Sequence, residues 1–229
     1  MDKTLIAIGG GELKGWSFKT KDESQTFYDL ENIDNIVRSF SDKDCPNLLF
    51  IGTASKEHPL YIKAIKGVYE KLGCNVSELN TIGRDDFERM KEEVLNADII
   101  YIGGGNTRNM LAEWDRVGLK EILIEAYNNG IIIAGYSAGA YAMFYTNYEE
   151  IDGLNLIDAV VCAHYNDKSE EKRNQFYETI KLKNKIGIAL DNCTALVYRN
   201  EKMEIIKSDE NAKAFKIEYL NNEYVVEEL

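Results

Sequence analysis

IIIAGYSAGAYAMF, residues 131–144, changes character at its middle. A run of isoleucines and small residues leads up to Ser137, and the small side chains of Ala138, Gly139, Ala140 and Ala142 lead away from it. The first half reads as a strand covered on both faces, the second as a closely packed helix. Ser137 therefore sits at a strand-to-helix joint, with Gly135 and Gly139 completing the pattern G-x-S-x-G. Glycines at those two places relieve crowding in a tight turn and leave the hydroxyl exposed. Two readings follow: a helix cap that satisfies an otherwise unpaired amide, or a nucleophile beside the amides of a helix start.

Working outward, the same alternation recurs. LIAIGG (5–10), NLLFIGTAS (47–55), CNVSELN (74–80) and ADIIYIGGGN (97–106) are short apolar runs, most of them stopped by turn residues. Between them lie amphipathic stretches. One runs from Ser24 through Phe27, Leu30, Ile33, Ile36, Val37 and Phe40; another carries Tyr61, Ile65, Val68, Tyr69 and Leu72 ahead of Gly73; others span 85–96, 107–116 and 118–129. The pattern predicts an α/β fold, a doubly wound and mostly parallel sheet with helices on both faces and ligands at the carboxyl ends of its strands. After Ser137, strands at 155–164 and 186–191 flank a helix at 169–182. From Thr194 onward TALVYR, MEIIK, AFKIEYL and EYVVEEL, separated by turns, predict an antiparallel β-rich C-terminal tail on the main sheet. One domain spanning 1–229 is expected, with the β-rich tail offering an edge for a homodimer.

Thirty-nine acidic against 27 basic residues give a net charge of −12, a field that disfavours nucleic acid and anionic membrane as partners. The N-terminus lacks the organisation of a signal peptide and no run reaches transmembrane length, so a cytoplasmic protein is expected. Cys45, Cys74, Cys162 and Cys193 have neither CxxC pairing nor metal-type spacing, and read as reduced thiols. GGGEL (9–13) is no dinucleotide fingerprint, and with no P-loop or metal signature the sequence calls for no cofactor and no metal.

A serine hydroxyl needs a base, and the chain has only two histidines. His58 lies in a polar stretch before Pro59, whereas His164 ends the strand-like run DAVVCAHYND at the edge where Ser137 is expected. His164 is the better candidate. The next polar pair after a strand is Asp191-Asn192, so the order is serine, histidine, polar orienter, unlike the serine, acid, histidine order of α/β-hydrolases. Gly103-Gly104-Gly105-Asn106 also ends a strand, either as a plain turn or as amides brought close to a reacting oxygen.

IAIGGGE, IGGGNTRNML, GYSAGA, AHYND and GIALDNCTAL, in this order, resemble the serine peptidase family of aspartyl dipeptidase (peptidase E) and cyanophycinase, over about residues 5–198. The resemblance implies a fold similar to class I glutamine amidotransferases. It also implies Ser137 as nucleophile, His164 as general base, and Gly104 or Gly105 with Ala138 as oxyanion donors. Where the family has a glutamate as third member, this chain has Asn192 in LDNCTA. A neutral amide orients the imidazole but does not stabilise its charge, so either Asn192 serves, or Asp191 or Asp152 replaces it, or turnover is lost. Arg173, in a position similar to an arginine associated with acidic substrates, implies recognition of a carboxylate. A serine peptidase acting on short peptides, including Asp-Xaa dipeptides, is the leading expectation. A catalytically weakened relative acting as a binding or regulatory module is the alternative, and a glutamine-hydrolysing enzyme a third.

Overall fold

The computed structural model describes residues 2–11, 13–14, 27–28 and 30–229. Its elements in chain order are β1 (Thr4–Ile8), β2 (Leu13–Lys14), β3 (Phe27–Tyr28), α1 (Glu31–Ser39), β4 (Asn47–Ile51), α2 (Pro59–Lys71), β5 (Asn75–Leu79) and α3 (Phe87–Leu95). Then come β6 (Ile99–Ile102), α4 (Thr107–Val117), α5 (Leu119–Asn128), β7 (Ile132–Tyr136), α6 (Ala138–Met143), β8 (Phe144–Asn147), β9 (Ile157–Ala163) and α7 (Glu170–Lys183). The chain finishes with β10 (Gly187–Leu190), β11 (Thr194–Arg199), β12 (Lys202–Lys207), β13 (Ala214–Leu220) and β14 (Glu223–Glu228).

The main sheet has the order β12-β11-β1-β7-β6-β4-β5. Its five members from β1 to β5 run parallel, and β11 and β12 continue it antiparallel beyond β1. Alternate residues of one strand feed two cores: Leu5 and Ala7 face a core shared with α3, α4, α5 and α6, while Ile6 and Ile8 face one shared with α1 and α2. That is why these strands read as unbroken apolar runs. The helical pattern from Ser24 begins later than its spacing suggests. Ser24 lies outside the described residues, Phe27 belongs to β3 paired with β2, and the helix starts at Glu31.

A single sheet with a tail does not describe the second half. β8, β9 and β10 are parallel and, with β13 and β14 antiparallel, make a separate sheet ordered β14-β13-β10-β9-β8. The tail is thus split: β11-β12 extends the main sheet, β13-β14 the second one. The physical reason lies in α6, only six residues long and buried throughout. Its small side chains fit between the layers, and at Phe144 the backbone becomes extended (φ −88°, ψ 168°), starting β8 directly after the helix. The sheets meet at their carboxyl edges. There the Gly9 carbonyl accepts from the His164 amide (2.9 Å) and the Gly10 carbonyl from the Cys193 amide (2.7 Å). A Cβ on Gly9 would lie 2.4 Å from the Asp191 carbonyl oxygen, so backbone meets backbone at this seam. Among the described residues no helix is long and apolar enough to cross a membrane, and none of the four cysteines forms a disulfide.

Candidate active site

Three strands end at the seam, and each presents one polar side chain. Ser137 follows β7, His164 follows β9, and Asn192 follows β10. Ser137 has φ 54° and ψ −103°, a conformation that L-residues rarely adopt. The glycines around it are sterically required: a Cβ on Gly135 would lie 2.4 Å from backbone atoms of Gly139, and one on Gly139 would lie 2.3 Å from the Ile102 carbonyl oxygen. The turn is held by the Ser137 amide donating to the Ile8 carbonyl (3.0 Å) and the Tyr141 amide donating to the Ser137 carbonyl (3.0 Å). The serine side chain makes no capping bond to its helix. Half-buried, its Oγ lies 2.8 Å from His164 Nε2.

His164 also takes a left-handed backbone conformation (φ 53°), which turns the chain out of β9 into a short 3-10 turn, Tyr165–Asp167. Its Nδ1 lies 2.6 Å from Asn192 Oδ1. This bond runs directly against Gly10, where a Cβ would sit 2.1 Å from Asn192 Oδ1 and 2.3 Å from His164 Nδ1. The glycine turn after β1 is therefore the back wall of the His–Asn pair. Burial holds the imidazole pKa below its ordinary value; the Asn192 bond opposes that shift, Lys168 adds to it and Asp167 opposes it. The ring is thereby kept neutral at neutral pH, with a lone pair free to accept a proton.

The polar residues downstream separate into groups. Asn192 is buried; its backbone amide donates to Asn166 Oδ1 (2.9 Å) and its Nδ2 to Asp167 Oδ2 (2.6 Å). Asp191 is engaged elsewhere: its Oδ2 accepts from the Lys213 amide (3.0 Å), and burial raises its pKa. Asp152 is exposed in the loop after β8, bridging back to Thr146, and meets neither His164 nor Asn192. His58 is exposed ahead of Pro59, which opens α2. The contact of Asp167 with Asn192 went unread in the sequence; the one available signal was its place three residues after His164, on the same turn.

Gly104 lies beside the serine, since a Cβ there would be 3.3 Å from Ser137 Cβ. Its amide already donates to the Tyr61 hydroxyl (3.1 Å), whereas the Gly105 amide donates to none of the described residues. Gly105 has φ +144° and a Cβ position 2.1 Å from the Ala54 carbonyl oxygen, so it too admits no side chain. Asn106 caps α4 by accepting from the Asn109 amide (2.8 Å), so the turn also serves as an ordinary helix start. Ala138 opens α6, where backbone amides have no partner within the helix. Arg173, in the first turn of α7, donates to the Asn166 carbonyl (3.1 Å) and lies over the Tyr165 ring at 5.0 Å, with no carboxylate partner among the described residues. No group of histidine, cysteine and acidic residues among those described is arranged to hold a metal ion.

Comparison with known proteins identifies the family of the chain. Over 226 residues the chain is 31% identical to the uncharacterized peptidase YgaJ of Bacillus subtilis (strain 168), covering 94% of this chain and 92% of that protein. Over 92 residues, 40% of this chain and 36% of the relative, it is 33% identical to peptidase E of Streptomyces coelicolor. The crystal structure of a peptidase from an acI-B1 Actinobacterium superposes with a TM-score of 0.71 at 20% identity, over 99% of this chain and 96% of that one, which shows the shared fold. The model of peptidase family S51 matches residues 21–206, and the chain belongs to that family.

Proposed function

We propose that this peptidase cleaves short peptides by an acyl-enzyme route in which Ser137 is the nucleophile and His164 the general base. The observation that carries the reading is the unbroken line from Ser137 Oγ to His164 Nε2 (2.8 Å) and from His164 Nδ1 to Asn192 Oδ1 (2.6 Å). As Oγ bonds to the scissile carbonyl carbon, its proton passes to Nε2. Collapse of the tetrahedral species then gives that proton to the leaving amine, and a water molecule releases the acyl group by the same steps. The Ala138 and Gly105 amides serve the oxyanion; for Gly104 to join them, the substrate oxygen must displace the Tyr61 hydroxyl. Asn192 orients the ring without neutralising the imidazolium, so a slower enzyme than one with a carboxylate there is expected.

For substrate we propose peptides beginning with aspartate, its side chain meeting Arg173. A guanidinium without a carboxylate partner among the described residues, in a chain of net charge −12, supports this reading. A panel of Xaa-Leu dipeptides tests it: turnover should be confined to acidic first residues, and Arg173→Ala should raise KM for those peptides about 10- to 100-fold. Equal turnover of neutral and acidic peptides would remove Arg173 from the account. For assembly, a second copy would add at the exposed edge of β14, where Val225 and Val226 are exposed.

A further inference from the structure

We infer that Asp167 is a positioning residue: it fixes which way round the Asn192 amide sits, and thereby which nitrogen of His164 carries the proton. The inference rests on the hydrolase reading for its effect on turnover, but its statement about the ring does not.

A side-chain amide has an accepting and a donating end of nearly the same shape. With Oδ1 toward His164, Nδ1 must carry the hydrogen, and Nε2 is left with a lone pair facing Ser137. With Nδ2 toward the ring, Nδ1 must accept and the hydrogen moves to Nε2. That second form has no base for the serine. The imidazole does not choose between them, because either tautomer makes one bond to the amide. A carboxylate in place of Asn192 would not need choosing, since both its oxygens only accept.

The choice is made on the far side of Asn192. Nδ2 donates to Asp167 Oδ2 at 2.6 Å, and a carboxylate oxygen accepts only. Turning the amide over would press its carbonyl oxygen against that carboxylate and lose the bond. Asn192 has no third position to occupy: it is buried, its backbone amide is tied to Asn166 Oδ1 (2.9 Å), and the Gly10 backbone closes the space beside Oδ1. His164, Asn166 and Asp167 belong to one short turn closed by the Asp167 amide donating to the His164 carbonyl (3.1 Å). The base and the group that sets its tautomer are therefore held together by three residues of chain. Asp167 is itself solvent-exposed, so its charge is screened at the ring and its effect is one of orientation.

Two measurements on the full chain test this. The protein has only His58 and His164, so 15N-histidine NMR, with His58→Gln for assignment, reads the tautomer of His164 directly. Wild type should show hydrogen on Nδ1, and Asp167→Ala, which lets water serve either end of the amide, should show a mixture or hydrogen on Nε2. The second measurement is a cycle of kcat values. Asp167→Ala should lower kcat by at least about tenfold, toward the ~10⁴-fold loss of a fully wrong tautomer. In an Asn192→Asp background, where no amide needs orienting and two carboxylates repel, the same Asp167→Ala should raise kcat. A merely structural role would lower it in both backgrounds. Hydrogen on Nε2 in wild type, an unchanged tautomer in Asp167→Ala, or losses of equal sign in both backgrounds would overturn the inference. A tautomer that responds to Asp167 in a protein that hydrolyses no peptide would instead sink the hydrolase reading and leave this one standing.

Discussion

At the scale of single residues, the site depends on where side chains are absent. Gly10 is the clearest case. A methyl group there would overlap both ends of the His164–Asn192 bond, at 2.3 and 2.1 Å, on a backbone with φ +155° that other residues rarely adopt. Gly10→Ala should therefore keep the fold but push the imidazole off Ser137, lowering kcat/KM by about 10² or more, as displacements of an ångström do. Peptide hydrolysis together with circular dichroism checks this; full activity would mean that the pair is not braced as described. Asn192 was marked out from Asp191 only by the family resemblance, but Ser137 and His164 were legible in the sequence because each ends an apolar run, and such ends converge in an α/β fold. Gly10 and Asp167 were not. Their roles arise where segments distant in the chain touch, and nothing in GGGE or HYND says what stands opposite.

At the scale of elements, α1 and α2 are joined through a buried pair that is not part of the Ser137–His164–Asn192 line. Tyr69 donates to Asp34 Oδ1 (2.8 Å) inside the apolar core beneath the main sheet. Burial raises the Asp34 carboxyl from 3.8 to about 7, partly offset by the Tyr69 bond. The fold thus favours the protonated form. Its contribution to stability is fully present below the unfolded value of 3.8 and is lost as pH rises through about 7, a change of a few kcal/mol. Asp34→Asn keeps an acceptor for Tyr69 and has no proton to lose. Denaturant melts at pH 5 and 8 should show the wild type losing about 2–3 kcal/mol more than this variant over that interval. Equal losses would mean that the carboxyl is charged without penalty. The late start of α1 has a similar lesson: the apolar spacing that begins at Phe27 fits a helix, but Phe27 pairs in β3, and three- and four-residue spacing alone does not mark where a helix opens.

At the scale of the whole molecule, the candidate active site lies at the junction of two sheets. Apolar runs in the sequence marked strands after Ser137, yet such runs do not say which sheet a strand joins, and the division into two was illegible for that reason. The consequence is mechanical. β13 pairs with β10 just before Asn192, the Lys213 amide holds Asp191, and Ala214 and Ile217 are buried. A chain ending at Ala212 should lose at least about 3 kcal/mol of stability from that apolar burial alone, and kcat should fall with it. An unchanged melting temperature would show that the hairpin is ornamental. All of the proposed chemistry depends on Ser137 being activated by a neutral His164, which a fluorophosphonate probe followed by mass spectrometry reads most directly. Labelling is predicted at Ser137 alone, absent in Ser137→Ala and slowed about 10³-fold or more in His164→Ala. Its rate should rise with pH to a plateau whose midpoint lies below the ordinary histidine value of 6.5. A wild-type protein left unlabelled at every pH, or labelled as fast without His164 as with it, would contradict the account.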